Sequence, residues 1–221
     1  MAAGRTVGKA AGQDWRHYEP LDLPPILTHA LDAFYEQGFH GTAVRDIARR
    51  VGVTVPALYY YYENKEAILV ALLETATNDV ASRAFAAAEE GGDRPEVRFA
   101  NVIEAVVLHM THRVRLAALD SELRYLQPAN RKHYAATRKK LENLLTGIIT
   151  DGVRAKVFTV AEPAETSRAL LGMCQAVATW FRDDGPLRPE KLAARYVAIA
   201  LMTVGAQPGS RRARPRPGGT R

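Results

Sequence analysis

Residues 42–65 read Thr-Ala-Val-Arg-Asp-Ile-Ala-Arg-Arg-Val-Gly-Val-Thr-Val-Pro-Ala-Leu-Tyr-Tyr-Tyr-Tyr-Glu-Asn-Lys. The run holds hydroxyl, guanidinium and ammonium groups suited to an anionic polymer, and the apolar residues needed to present them. Two short helices that cross steeply need a small side chain at the contact, and Ala48 supplies it. The sharp turn between them needs positive φ, which Gly52 adopts at little steric cost. Leu58 then fills the angle, with Ile47, Val51 and Val53 around it. Thr54 can cap the second helix, and Pro56 falls in its first turn, where a missing N–H is harmless. This is the pattern of a helix-turn-helix, whose second helix offers its N-terminal half to a DNA major groove. Val55, Pro56 and the ring of Tyr60 would make apolar contacts there, thymine methyls included. Arg45 is the long donor for guanine or phosphate, and Thr42, Tyr59, Tyr60 and Lys65 can bond phosphate oxygens. Thr54 belongs to the same DNA-facing set. Tyr59, Tyr60, Tyr61 and Tyr62 cannot share one face, because helical neighbours differ by about 100°. One of Tyr59 and Tyr62 therefore packs inward while another tyrosine faces DNA; the competing reading makes all four ordinary aromatics. Arg50 reads as part of a solvated face, and Arg45 does not.

The elements that must position these groups are helical throughout. Breaks at Gly, Pro and caps predict helices over 25–37, 43–51, 54–61, 64–90, 96–112, 114–125, 128–155, 163–183 and 189–205, nine in all, with Val157 to Val160 in a loop. The fold class is all-α. Residues 1–20 read as a disordered arm, 21–66 as the helix-turn-helix domain, 67–206 as a larger helical domain, and 207–221 as a disordered basic tail. The arm's Arg5, Lys9 and Arg16 can reach a minor groove or stay solvated. Five arginines and no acid in residues 211–221 supply +5 of the +6 net charge, so bulk charge says little about the folded part. The longest apolar run, Ala67 to Leu73, is far short of the roughly 20 residues that cross a bilayer, so no membrane partner is expected. One cysteine, Cys174, suits a reducing cytoplasm, and the first twenty residues hold no apolar block of a secretory signal. His109 and His112 stand three apart, but two ligands do not make a metal site and read as ordinary helix histidines. No metal or cofactor is expected.

Residues 26 to 73, from Ile-Leu-Thr-His-Ala-Leu-Asp-Ala-Phe-Tyr through Val-Arg-Asp-Ile-Ala to Leu-Tyr-Tyr-Tyr-Tyr-Glu-Asn-Lys-Glu-Ala-Ile-Leu, resemble the DNA-binding domain of the TetR family of transcriptional regulators. Tyr61 and Tyr62 stand where many members have histidine and phenylalanine. The resemblance implies a two-domain, all-helical homodimer that represses transcription from a palindromic operator. It also implies a small hydrophobic effector that binds the larger domain and releases the DNA. Residues 179 to 201 look like a C-terminal stretch found in regulators of fatty-acid and steroid breakdown, several of which sense acyl-CoA thioesters. Asp183 and Asp184 depart from the Pro and Gly common there.

Such a ligand needs an apolar slot and cations for its phosphates. Met110, Leu119, Tyr125, Met173, Val177 and Trp180 are the slot candidates. Between Arg113 and Lys140, eight cations against Asp120 and Glu122 give a local +6, and Arg131, Arg138 or Lys139 could meet phosphate. The competing reading is a solvated helix face. The apolar stripe Leu170, Met173, Cys174, Val177, Trp180, Phe181 and that of Leu192, Tyr196, Ile199, Ala200 predict a four-helix dimer interface through the last two helices, or else a monomer core. Three alternatives to the repressor of a thioester pathway stand beside it. One is a drug-responsive repressor of an efflux type. Another is a helical thioester enzyme using His109 and Glu122 as acid and base, although no nucleophile elbow, P-loop or dinucleotide fingerprint is present, and no catalytic residue is assigned. The third is an interaction protein that no longer binds DNA.

Overall fold

A computed structural model describes residues 14–206. Proline is the first residue of five helices: α1 (Pro25–Gly41), α5 (Pro95–His112), α7 (Pro128–Arg154), α8 (Pro163–Gln175) and α10 (Pro189–Thr203). Side chains cap two others. Thr54 accepts from the Ala57 N–H to start α3 (Val55–Tyr61), and Asn64 accepts from the Ala67 N–H at 2.8 Å to start α4 (Lys65–Glu90). Helix α2 (Val44–Val51) ends on Gly52 at φ 81°. Gly38, at φ 71°, interrupts α1 where the sequence ends it. The short α6 (Val114–Ala117) runs into a 3-10 helix over Ala118–Tyr125, and the short α9 (Val177–Trp180) follows α8.

All nine expected helical stretches are present among the described residues, and two are not continuous α-helices. Residues 114–125 tighten into a 3-10 winding after Ala117. The 163–183 stretch breaks at Ala176, where the Thr179 N–H turns back to the Ala176 carbonyl at 3.1 Å, and it ends at Trp180 with Phe181 extended. Residues 157–160 form a loop.

Two apolar cores divide the chain. The first holds Ile26, Ala30, Phe34, Ile47, Ala48 and Leu58, closed by Ile68, Leu69, Leu72 and Leu73 of α4 and by Leu116, Leu119 and Leu126. The second lies between the C-terminal half of α4 and helices α5, α7, α8 and α10, with Phe99, Ile103, Leu145, Ile148, Cys174 and Val177 at its centre. A boundary at residue 66 therefore cuts through the first core, because the N-terminal half of α4 completes it.

The expected arm differs over residues 14–20. Trp15 is buried, its indole N–H donates to Glu90 at 2.7 Å, and Arg16 pairs with Glu90 and Glu104. Buried Arg83 donates to the carbonyls of Trp15 and His17 at 3.0 and 2.8 Å and lies under the Tyr18 ring. Arg113 donates to the Glu19 carbonyl at 2.6 Å, and Tyr18 stacks on His112. The Ala- and Gly-rich composition of the first residues masks two aromatics with enough surface to hold the segment down. Arg16 is thereby committed to the larger domain and not to a minor groove. Arg5, Lys9 and the tail 207–221 lie outside the described residues.

Trp15→Ala should lower stability by about 3 kcal/mol in urea unfolding, the cost of emptying a buried indole site. A change within about 0.5 kcal/mol, as for a surface residue, would show that this segment is not docked.

Candidate functional site

The helix-turn-helix is built from its core outward. Ile47, Ala48 and Leu58 are fully buried at the α2–α3 crossing, and the Gly52 N–H returns to the Ala48 carbonyl at 3.0 Å. Held this way, α3 stands away from the body of the protein. Tyr60 is 85% exposed, Tyr61 67% and Tyr59 45%, and Tyr60 and Tyr61 meet edge to face. Three adjacent exposed tyrosines are unusual for a surface with no partner. Tyr62 packs against the first core because the backbone leaves the helix there for an extended conformation. Pro56 and Thr54 are exposed and Val55 is half-buried. Arg45 is exposed and has no ion pair among the described residues, whereas Arg49 pairs with Asp46 and Arg50 with Glu36 at 2.7 Å.

Two expected phosphate ligands have other work. Thr42 is buried, and its hydroxyl donates to the carbonyls of Ala33 and Gly38. Lys65 donates through Nζ to the carbonyls of Phe39 and Thr42 at 2.6 and 2.8 Å, lies over the Phe39 ring, and has its pKa pushed down by burial. Both side chains tie the α1–α2 connection together. Tyr61 is the exposed residue missing from the expected set; the helix end immediately after it is what swings it outward.

A cleft of about 600 Å³ opens between α4, α5, α7, α8 and the 3-10 helix. Its wall is buried and largely apolar: Ala76, Thr77, Val80, His109, Met110, Ala117, Tyr134, Leu141 and Leu171. Its rim carries Arg124, Arg131, Arg138, Lys139 and Arg168 with Asp120 and Glu142. Arg138 donates to Gln175 at 2.5 Å and lies 3.5 Å from Asp120, while Lys139 and Arg168 converge on Glu142 at 2.6 and 3.0 Å. The Tyr134 hydroxyl donates to Asp120 at 2.5 Å, and burial pushes its pKa well up. Of the expected slot residues, Met110 lines the cleft and the other five do not. Leu119 points into the first core, Tyr125 stacks on Phe39 and meets His40 edge to face, and Val177 is sealed in the second core. Met173 is half-buried against that core, and Trp180 is 46% exposed on the outside. All three expected cations, Arg131, Arg138 and Lys139, stand at the rim; Thr77, His109, Tyr134, Arg124, Arg168 and Gln175 are lining residues that the sequence does not point to.

His109 and His112 turn to different partners, His109 to Asp79 at 3.1 Å and His112 to the Tyr18 ring. No cluster of three metal-ligating side chains exists among the described residues, and Glu122 does not reach the cleft that His109 lines. Asp79 also meets Arg83 at 3.0 Å and Arg113 at 3.6 Å. Burial alone would raise the Asp79 pKa, but the hydrogen bonds and charges of His109 and Arg83 outweigh it and bring it to about 2. Burial pushes the His109 pKa down against the pull of Asp79.

On the last helices, Leu170, Cys174, Val177, Phe181, Leu192 and Ala200 of the apolar stripes are spent inside this chain. Trp180, Ile199 and Met202 remain exposed, Met202 at 72%. No helix among the described residues is long and apolar enough to cross a membrane.

Residues 26–72 match the family described as bacterial regulatory proteins, tetR family, and residues 92–204 match the tetracyclin repressor-like C-terminal domain. The chain thus belongs to the TetR family of DNA-binding transcriptional regulators, with the helix-turn-helix in its small domain. It is 24% identical over 193 residues to the HTH-type transcriptional repressor KstR2 of Rhodococcus jostii (strain RHA1), spanning 86% of this chain and 92% of that one. The structure of the TetR family regulator PfmR from Thermus thermophilus is similar at TM-score 0.73 and 30% identity, over 80% of this chain and 97% of that one. AibR, solved in complex with isovaleryl coenzyme A and operator DNA, has the same fold at TM-score 0.71 and 21% identity, over 82% of this chain and 97% of that one.

Lys65→Met should cost about 1–2 kcal/mol in thermal or urea unfolding, because two backbone carbonyls lose a charged donor. An unchanged midpoint would return Lys65 to the surface. Acid should destabilise the fold in two stages. The native state disfavours protonated His109, so stability falls as pH drops below the ordinary histidine value of about 6.5. A further loss follows as pH falls from 3.8 through about 2, where Asp79 is protonated. Urea midpoints across pH should show both stages in wild type; in His109→Phe the upper stage should shrink to the part owed to His112, whose pKa burial also pushes down, and the lower one should weaken because Asp79 loses a partner. An upper stage of undiminished size in the variant would contradict the assignment.

Proposed function

We propose that the protein is a repressor that binds a palindromic operator as a homodimer and leaves it when an acyl-CoA thioester fills the cleft. The observation that carries this reading is the cleft itself, with a buried apolar wall under a cationic rim. An acyl chain suits the wall and CoA phosphates suit Arg124, Arg131, Arg138, Lys139 and Arg168. The AibR complex, which holds both isovaleryl coenzyme A and operator DNA, supports the ligand class, and KstR2 supports repression.

Arg45, Thr54, Val55, Pro56, Tyr59 and Tyr60 face the operator in this reading, joined by Tyr61. Arg45 supplies the base or phosphate contact, and the tyrosine hydroxyls supply phosphate contacts. The dimer forms through the last two helices on the face of Trp180, Ile199 and Met202, since the rest of their apolar surface is already used. The 3-10 helix couples the two events: Asp120, Leu123 and Arg124 border the cleft, while Leu119 and Tyr125 pack against the small domain. The catalytic reading rests on His109 and Glu122, and Glu122 is not among the residues that line the cleft with His109.

Arg45→Ala should weaken binding to the DNA upstream of the protein's own gene by about 1–3 kcal/mol per half-site, while Lys65→Met leaves the salt slope unchanged in the folded fraction. Lauroyl-CoA should release that DNA in a mobility-shift titration, and lauric acid or an uncharged drug should not. Release by no thioester would sink the effector reading; failure to shift the DNA at all would sink the repressor reading.

A further inference from the structure

His109 differs from every other polar group in the wall of the cleft. It is 1% exposed, and the other polar side chains of the buried wall have partners for their hydroxyl protons: Thr77 donates to the Leu73 carbonyl at 2.7 Å and Tyr134 to Asp120. Nδ1 of His109 meets Oδ2 of Asp79, Arg83 pairs with Oδ1 at 3.0 Å, and Arg113 lies 3.6 Å from Oδ2. Two guanidiniums keep Asp79 a carboxylate, and a carboxylate only accepts. The proton therefore sits on Nδ1. A neutral imidazole carries one ring proton, so Nε2 presents a lone pair. Nε2 has no hydrogen-bond partner among the described residues, and the ring lines the cleft, whose buried wall is apolar apart from His109 itself, Thr77 and Tyr134. An acceptor set in an apolar wall favours whatever brings it a donor.

We propose that His109 is a specificity-determining residue of the cleft, accepting through Nε2 a hydrogen bond from a hydroxyl on the otherwise apolar part of the effector. Asp79 is the positioning residue that fixes the tautomer. The inference rests on the cleft being the effector site, as proposed above, and it narrows that ligand class to hydroxylated chains.

Two measurements test it on the full-length protein. Nitrogen-15 NMR of the imidazole should find Nδ1 protonated and Nε2 bare at neutral pH; an Nε2–H tautomer or an imidazolium would overturn the proposal without any ligand. Calorimetric titration with lauroyl-CoA and its ω-hydroxylated counterpart should show the hydroxylated ester binding about tenfold tighter. His109→Phe should abolish that preference, and His109→Gln, which keeps an acceptor near the Nε2 position, should restore part of it. Asp79→Asn, which no longer forces the proton onto Nδ1, should reduce the preference even if His109→Phe does not fold. Equal affinities in wild type, or a preference that persists in His109→Phe, would overturn the role of His109 and leave the thioester reading standing. Binding of neither ester would overturn the thioester reading, and this inference with it.

Discussion

Residues 114–126 are held by two bodies of protein at once. Leu116, Leu119 and Leu126 are buried with the helix-turn-helix core, while Asp120, Leu123 and Arg124 form one side of the cleft. The 3-10 winding makes this possible, because three residues per turn set Leu119 and Tyr125 along one ridge and Asp120 and Leu123 along another. Polar ties fix the same junction. Arg115 pairs with Asp32 of α1 at 2.8 Å, and Glu66 of α4 accepts from the Gln127 N–H and the Asn130 amide, both at 2.7 Å. Protein interiors are close-packed, so the cleft wall cannot move without repacking the small domain. That constraint is what a ligand-controlled DNA reader requires.

Helix α4 is the second shared element. Its first half completes one core and its second half enters the other, and between them Asp79 gathers His109, Arg83 and Arg113. Through Arg83 and Arg113 the same cluster grips the backbone of residues 15, 17 and 19, which lead directly into α1. The small domain is thus braced at both ends of its first helix, by the 3-10 helix on one side and by the docked N-terminal segment on the other. Coupling between sites in proteins is commonly about 1–3 kcal/mol, and two such braces are enough structure to carry it.

What can be read in the sequence follows from how local each cause is. Ala48, Gly52, Thr54 and Leu58 lie within eleven residues, and their roles follow from the geometry of one turn. Thr42 and Lys65 look equally suited to phosphate, but their partners are the carbonyls of Ala33, Gly38 and Phe39, and no spacing rule places those within reach. The cleft shows the same division. Charge density marks Arg131, Arg138 and Lys139, because runs of cations are visible along the chain. The apolar wall is not legible, since periodicity says that Leu119 and Val177 are buried but not against what. Trp15 is hidden for the converse reason, as a single indole inside a small-residue segment carries no period at all.

Filling the cleft should move the DNA-reading helices. Pulsed electron resonance between spin labels at Glu63→Cys in the two protomers tests it directly. Cys174 is buried, with its thiol pKa pushed up to about 12, and stays unlabelled. Free protein should give a separation matching successive major grooves, about 34 Å between half-site centres, with allowance for the labels. Saturating lauroyl-CoA should shift that distribution away from it. An unchanged distribution at a cleft shown by calorimetry to be full would contradict the account.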